Sequence, residues 1–381
     1  MDKVCVELAP QPCYPSIFSG AMCGWIVLLL WVGLVDLSVT QQTDALTWLN
    51  YLRNRANGGS YTQNHGNHYI SAEAENELVE VECPLECDCP STYPMYCHSR
   101  NLQHVPFVHS RMKYVYLQNN RIRGITHGVF DNATGLVWII LHMNQLCSDQ
   151  ISDKIFAKLP KLERLFLHHN QLERLPTGLP RSLRDLRANH NAISSVSATA
   201  LRGLDRLAEL RLHTNNIEDP GSALEPLQSL TILDLHGNRL TKVPENLPPR
   251  LSQLYLEHNL ISMLPAGFLR ERPELRFVRL AHNHLTDDGI PPDTFNVTTL
   301  LELDLSHNRL EKIPTMSTRL QNLYLQANRI KEFSVSSFCR VVDMANYSNL
   351  RVLRLEANKI SPHDVSPKAL LCLRKATTIY L

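Results

Sequence analysis

Eleven times between Met112 and Ile360 the chain writes one phrase, L-x-x-L-x-L-x-x-N-x-L, and no other feature limits its fold so sharply. Examples are LERLFLHHNQL, ending at Leu172, and LTILDLHGNRL, ending at Leu240. The central x-L-x-L-x alternates with period two, so its leucines face a core while the side chains between them face the other way, as on a short strand. The asparagine follows at the bend, where its amide offers a donor and an acceptor to backbone groups that the turn leaves free. One copy cannot bury its leucines alone, so neighbours must stack and the asparagines form a ladder. The expectation is an α/β solenoid, curved like a horseshoe, with a parallel sheet of eleven strands on its concave face. At a strand spacing of about 4.8 Å the sheet runs about 50 Å along the stack.

From Asn120 through Asn144, Asn170, Asn191, Asn215, Asn238, Asn259, Asn283, Asn308, Asn328 and Asn358, the ladder asparagines are 24, 26, 21, 24, 23, 21, 24, 25, 20 and 30 residues apart. One short step follows every two longer ones. Short repeats such as ERLPTGLPRS and TKVPENLPPR carry a leucine-proline return that suits an extended or polyproline segment. Long ones such as ITHGVFDNATG leave room for a helical turn. The final step contains Cys339 and is followed by Cys372, which marks residues 331–381 as an enlarged penultimate repeat with a carboxy-terminal cap overlapping the repeat array of 111–360.

The amino-terminal end reads as an address. WIVLLLWVGLV, from Trp25 to Val35, has the length of a secretory h-region and about half the roughly 20 residues a membrane helix needs. Ser38 and Thr40 supply the small residues before a cleavage at Gln41, giving a signal peptide over 1–40, with 1–21 a possible upstream extension if Met22 is the working start. An uncleaved anchor is the alternative. Residues 41–82, poor in apolar side chains, read as a disordered tail.

Secretion turns cysteine spacing into a disulfide framework. Cys83, Cys87, Cys89 and Cys97 crowd into CPLECDCPSTYPMYC within a cap of 83–110. A zinc site competes, but the spacing lacks paired C-x2-C knuckles, and two disulfides are the favoured reading. Cys339 and Cys372 make a third pair, leaving Cys147 as a shielded thiol or a reactive one.

Lys plus Arg number 38 against 37 Asp plus Glu, so no global field favours nucleic acid or an anionic membrane. The adjacent His168 and His169 precede a ladder asparagine, a position that other copies fill with many residue types, so they read as a scaffold edge rather than a metal site. His142, His168, His213 and His236 share one repeated strand position, which could make ligand binding sensitive to mild acidity. There is no G-x-x-x-x-G-K, H-E-x-x-H or G-x-S-x-G, and neither catalysis nor a cofactor is expected.

CPLECDCP, MYCHSRNLQHVPFVHSRMKYVYLQNNRI, LLELDLSHNRLEKIP, NLYLQANRI and EFSVSSFCRVVD are specific phrases, and over 83–381 the chain resembles the small leucine-rich proteoglycans. The four-cysteine cap, the short-long-long rhythm and the enlarged penultimate repeat are shared features. The resemblance implies a secreted matrix protein with a leucine-rich-repeat fold that binds fibrillar collagen and modulates fibril assembly, with growth factors of the transforming type as further partners. The family's collagen contacts fall late in the array, which makes Arg354, Glu356 and Lys359 candidates, with Tyr324 and Arg279 on the same inner face. Inner-face positions run Tyr116, Ile140, Phe166, Arg187, Arg211, Asp234, Tyr255, Arg279, Asp304, Tyr324 and Arg354, rich in the residue types that anchor interfaces. Asn132, Asn296 and Asn346 head N-glycosylation sequons, which in this family can carry keratan sulfate. Tyr69, near Glu73 and Glu75, is the sulfotyrosine candidate. A signalling or pattern-recognition ectodomain is the rival class; it calls for a membrane segment or anchor after the array, and none is read before Leu381.

Overall fold

The computed structural model describes residues 83–270 and 272–381. The leader (1–40), the tail (41–82) and Tyr69 lie outside the described residues. The array from Cys83 onward forms a single parallel sheet whose strands follow chain order: β1 Pro94–Tyr96, β2 Tyr114–Tyr116, β3 Trp138–Ile140, β4 Arg164–Phe166, β5 Asp185–Arg187, β6 Glu209–Arg211, β7 Ile232–Asp234, β8 Gln253–Tyr255, β9 Phe277–Arg279, β10 Glu302–Asp304, β11 Asn322–Tyr324, β12 Val352–Arg354 and β13 Thr378–Tyr380. Each strand is three residues long, and its middle residue points into the core. Val115, Ile139, Leu165, Leu186, Leu210, Leu233, Leu254, Val278, Leu303, Leu323 and Leu353 are all 0% exposed.

Thirteen strands replace the eleven expected from the repeats. The extra two come from the cap, where Pro94 pairs with Tyr114, and from the last residues, where Thr378 pairs with Val352. Neither segment carries a ladder asparagine. They are recruited because β2 and β12 would otherwise present unpaired backbone groups at the ends of the sheet.

The ladder is uniform. In each step an asparagine Oδ1 accepts the N–H two residues beyond the preceding ladder asparagine, as Ile122 N–H to Asn144 at 3.1 Å and Leu240 N–H to Asn259 at 2.9 Å. Its Nδ2 donates back to the preceding repeat and to its own turn, as Asn144 to Leu117 O at 2.9 Å and Leu141 O at 3.1 Å. The turn needs one left-handed residue, and it is always the one before the asparagine, with φ between 51° and 62° from Asn119 and His169 to Gly237 and Ala357. Left-handed backbone costs glycine and asparagine least and β-branched residues most, and Thr214 is the one β-branched residue among the eleven. That requirement, and not tolerance alone, sets the residue types seen at His169.

The outer segments are less helical than their length suggests. ITHGVFDNATG forms successive i to i+3 turns, with Asp131 N–H to Gly128 O at 3.0 Å and Ala133 N–H to Phe130 O at 2.9 Å, in place of a helical turn. Such turns let Phe130 and Phe156, both 0% exposed, stack at 6.0 Å between adjacent repeats. Helix α1 (Ala198–Leu201) and 3-10 turns at Ser148–Gln150, Gly221–Leu224 and Asp287–Gly289 occupy other long repeats. Helix α2 (Lys368–Cys372) closes the carboxy-terminal end.

Cys83 bonds Cys89, Cys87 bonds Cys97, and Cys339 bonds Cys372. Cys147 is free and half-buried, its Sγ 3.5 Å from Gln145 O and 3.6 Å from Gln171 Oε1. No helix among the described residues is long and apolar enough to cross a membrane.

Candidate functional site: the concave face

Because every strand pairs in register, the inner-face residues form one column from Tyr96 through Tyr116, Arg187, Asp234, Arg279, Tyr324 and Arg354 to Tyr380. Its amino-terminal third is aromatic. Tyr96 and Tyr116 stack at 4.8 Å, and on the neighbouring column Tyr114 meets Trp138 edge-on at 4.9 Å with Arg164 over the indole at 4.6 Å. The Arg187 guanidinium covers Phe166 at 4.3 Å and begins a charged middle section.

In that section arginines and carboxylates alternate across strands. Arg187 lies 3.1 Å from Asp185 and 3.7 Å from Glu209, Glu209 also holds Arg211, and Arg279 meets Glu302 at 3.1 Å. Burial raises the Asp185 carboxyl to about 6, against the opposing pull of Arg187. Glu257 is pushed up to about 7, again chiefly by burial. Its Oε2 has no hydrogen-bond partner.

Two residues beyond the inner column runs a second one, and it concentrates the unsatisfied polar atoms of the protein. His98 Nδ1, Gln118 Oε1, His142 Nδ1, His168 Nδ1, Glu257 Oε2, Gln326 Oε1 and Glu356 Oε2 are buried atoms without a partner, all at this one repeat position. Buried polar atoms are normally paired; these are covered by the neighbouring side chains of the same column, as the face-to-face rings of His142 and His168 show.

For three of the four histidines the same column corrects the expectation of mild-acid sensitivity. Burial, followed by the charges of neighbouring histidines and Arg187, lowers His142 to about 4 and His168 to about 2. Burial also lowers His213 to about 4. These three stay neutral between pH 5.5 and 7.5. Only His236 moves upward: burial opposes its charge, but the Asp234 carboxylate, 2.8 Å from Nδ1, outweighs that. His142 and His168 instead stack face to face at 4.3 Å, and the left-handed positions form a second stack, His258, His282 and His307, at 4.1 and 3.9 Å. No group of three or more His, Cys, Asp or Glu among the described residues is placed to hold a metal ion.

Glu257 supports a direct prediction. A carboxyl whose folded pKa lies above its unfolded value carries a penalty that is absent below the unfolded pKa and grows as pH rises through the folded one. Glu257→Gln therefore stabilises the protein by about 2–3 kcal/mol at pH 8, and the gain falls below about 1 kcal/mol at pH 5 and vanishes near pH 4. Thermal melts of both chains at pH 8 and pH 5 check this; an equal difference at both would show that the penalty is not ionisation.

Among the late-repeat candidates the structure joins some and separates one. Arg354 Nε donates to Glu356 Oε1 at 2.6 Å, and its guanidinium lies 5.7 Å from the Tyr380 ring. Tyr324 is in register with Arg354, and Arg279 lies two strands earlier beside Glu302 and over Tyr255 at 5.3 Å. Lys359 follows the ladder turn and is exposed on the strand-exit edge, off both columns. Asn132, Asn296 and Asn346 are exposed on the outer segments. Glu257, Trp138 and the end residues Tyr96 and Tyr380 join the face without having been singled out. For Tyr96 and Tyr380 the signal was lost with the ladder asparagine; for Trp138 and Glu257, counting two residues either side of each inner position would have found them.

Leucine-rich-repeat family models match residues 110–172, 181–240 and 298–312. Fibromodulin from Bos taurus is 50% identical over 373 residues, covering 93% of this chain and 99% of the relative, and Homo sapiens fibromodulin is 49% identical with the same coverage. Lumican from Gallus gallus is 43% identical over 303 residues, covering 78% of this chain and 88% of the relative. Among solved structures, a chain of the octameric complex of Latrophilin 3, Unc5D and FLRT2 superposes with a TM-score of 0.62 at 25% identity, covering 78% of this chain and 85% of that one. A leucine-rich-repeat protein of Leptospira interrogans gives a TM-score of 0.53 at 20% identity, covering 74% and 82%, which shows the shared fold alone. With cap, ladder and closing disulfide in place and half of its residues identical over almost the whole length, the chain belongs to the fibromodulin group of the small leucine-rich proteoglycans, extracellular-matrix proteins that are not enzymes.

Proposed function

We propose that this protein is secreted into the extracellular matrix, binds fibrillar collagen along its concave face and regulates fibril assembly, with growth factors of the transforming type as a second class of ligand. The observation that carries the reading is the column of aromatic and arginine side chains held in strict register along the inner face. A triple helix is a straight polar rod of polyproline-like chains. Rings and guanidinium planes suit its proline faces. Such contacts supply affinity only where they are already held in place, and Arg279 and Arg354 are so held by Glu302 and Glu356. The proposed contact set is Arg279, Tyr324, Arg354 and Glu356, with Lys359 bordering it from the exit edge. The sequons at Asn132, Asn296 and Asn346 are proposed to carry N-glycans, including keratan sulfate, and Tyr69 to be sulfated.

Co-sedimentation with reconstituted collagen fibrils tests the face. Arg279→Ala with Arg354→Ala is expected to weaken binding by about tenfold, each lost contact being worth about half a decade. Lys359→Ala alone is expected to change it by about twofold or less, as a rim charge does. Undiminished binding by the double variant would remove the late repeats from the contact.

A further inference from the structure

Away from both columns, at the edge where the chain enters the sheet, the last repeats gather cations with no counter-charge. The residues just before β10, β11 and β12 are Leu301, Gln321 and Arg351; two places earlier than those of β11, β12 and β13 stand Arg319, Asn349 and Lys375. With Thr298 these six line a cavity of about 370 Å³. Three of the seven are cations and none is a carboxylate. Elsewhere on this surface exposed bases meet acids, as Arg174 with Asp149 at 2.6 Å, Lys331 with Glu311 at 2.5 Å and Arg340 with Asp293 at 3.2 Å. Among the described residues, Arg319 and Arg351 form no such pair, and Lys375 Nζ donates to the neutral Asn349 Oδ1 at 2.8 Å.

The surroundings add to the imbalance. Arg374 and Lys375 both lie over the Tyr347 ring, at 3.9 and 4.7 Å. Asp343, the acid on this side, is occupied by Asn346, accepting from its Nδ2 at 2.7 Å and its backbone N–H at 2.8 Å. In a chain whose formal charge is +1, unpaired cations drawn from successive repeats onto one cavity repel each other, and a bound anion relieves that. Backbone positions two strands apart are separated by about 10 Å, so the site suits charges borne at intervals on an extended ligand better than a single ion.

A second cavity, of about 450 Å³, shares Thr298 and Asn349 with the first, and Asn296 and Asn346 both line it. Two glycosylation sequons therefore open onto the cleft next to the cations. The lining supplies amides and hydroxyls suited to sugar hydroxyls, and the Tyr347 ring is already covered by cations, leaving no platform on which a nucleic-acid base could stack. We propose that this double cleft binds a sulfated saccharide, with Arg319, Arg351 and Lys375 holding sulfate groups and Thr298, Gln321 and Asn349 the sugar hydroxyls. The saccharide comes either from a separate glycosaminoglycan chain or from a sulfated N-glycan on Asn296 or Asn346 of the same molecule. The proposal is independent of the concave face.

Calorimetric titration of the full chain with a sulfated heparin octasaccharide and its desulfated counterpart tests it. Arg319→Ala with Arg351→Ala, two exposed side chains whose loss leaves the core intact, is expected to weaken binding at least about tenfold. Arg309→Ala with Arg329→Ala, the same charge change on the opposite edge, is expected to change it by about twofold or less. If the molecule's own glycan fills the cleft, Asn296→Gln with Asn346→Gln raises affinity for the octasaccharide; if a separate chain is the ligand, affinity is unchanged, and both outcomes place sulfated sugar in the cleft. Equal weakening by the two arginine pairs, equal binding of the desulfated sugar, or no binding by the Asn296→Gln, Asn346→Gln chain would overturn the proposal.

Discussion

Replacing Asn259 by alanine is expected to destabilise the array by about 2–3 kcal/mol, because the loss strands one buried N–H and takes one of two bonds from each of three carbonyls. Asn259 is 4% exposed. Its Oδ1 is the acceptor for Leu240 N–H, and its Nδ2 donates to Leu235 O and Leu256 O at 3.1 Å and to Glu257 O at 3.2 Å. Water cannot replace those bonds without opening the turn between two repeats. A stranded buried donor costs about 1–3 kcal/mol, and Leu240 N–H is that donor; Leu235 O, Leu256 O and Glu257 O each keep one bond, from Asn238, Asn283 and Gly237, and add a smaller loss. The adjacent His258→Ala is the control: it is exposed, and alanine holds the same left-handed position at Ala327 and Ala357. Urea melts followed by circular dichroism should show Asn259→Ala shifted strongly and His258→Ala within about 0.5 kcal/mol of the parent. Equal shifts would mean that the ladder contributes no more than its neighbour.

Removing the closing disulfide by Cys339→Ala with Cys372→Ala should cost about 3–4 kcal/mol in the chain-entropy account, in which stabilisation grows with the loop closed. The pair spans 33 residues and both cysteines are buried. The loss should be local. Repeats touch only their neighbours, so the opening free energy of one end need not reach the other. Hydrogen exchange is expected to quicken over 331–381, where Ser348 N–H is bonded to Cys372 O at 2.8 Å and α2 packs on the 3-10 turn Val335–Ser337, while amides near Asn144 to Asn215 keep their protection. Quickening spread evenly over the array would reveal a global unit instead, and unchanged exchange at the end would show the bridge to be idle.

Together these cases mark where legibility stops. The repeat phrase made the inner column readable because period-two alternation decides which side chains face the hollow, and register follows from the ladder spacing. Arg354 was therefore readable as an inner-face residue, while Glu356 and Lys359 were grouped with it by the family resemblance. Lys359 was not separable from the other two by counting, since five residues along the chain cross a left-handed turn that carries it to the exit edge. The histidine column was equally readable as geometry, but its chemistry was not. Whether His168 can be charged in mild acid depends on how much water its neighbours exclude and on the charges of His142, Arg187 and His213, which come from other repeats, as well as on adjacent His169. The cation cleft was invisible for the same reason: Arg319, Arg351 and Lys375 are separated by more than twenty residues each and belong to no motif.

What the sequence determined alone is the architecture, because leucines at fixed offsets and one asparagine per turn can bury and satisfy themselves in a single way, by stacking copies in parallel. What the tertiary structure alone decided is the number of strands at the ends, the protonation of the concave face and the meeting of cations at the entry edge. Those depend on atoms brought within a few ångströms by repeats far apart in the chain, and desolvation and Coulomb interactions act through distance in space and not along the sequence.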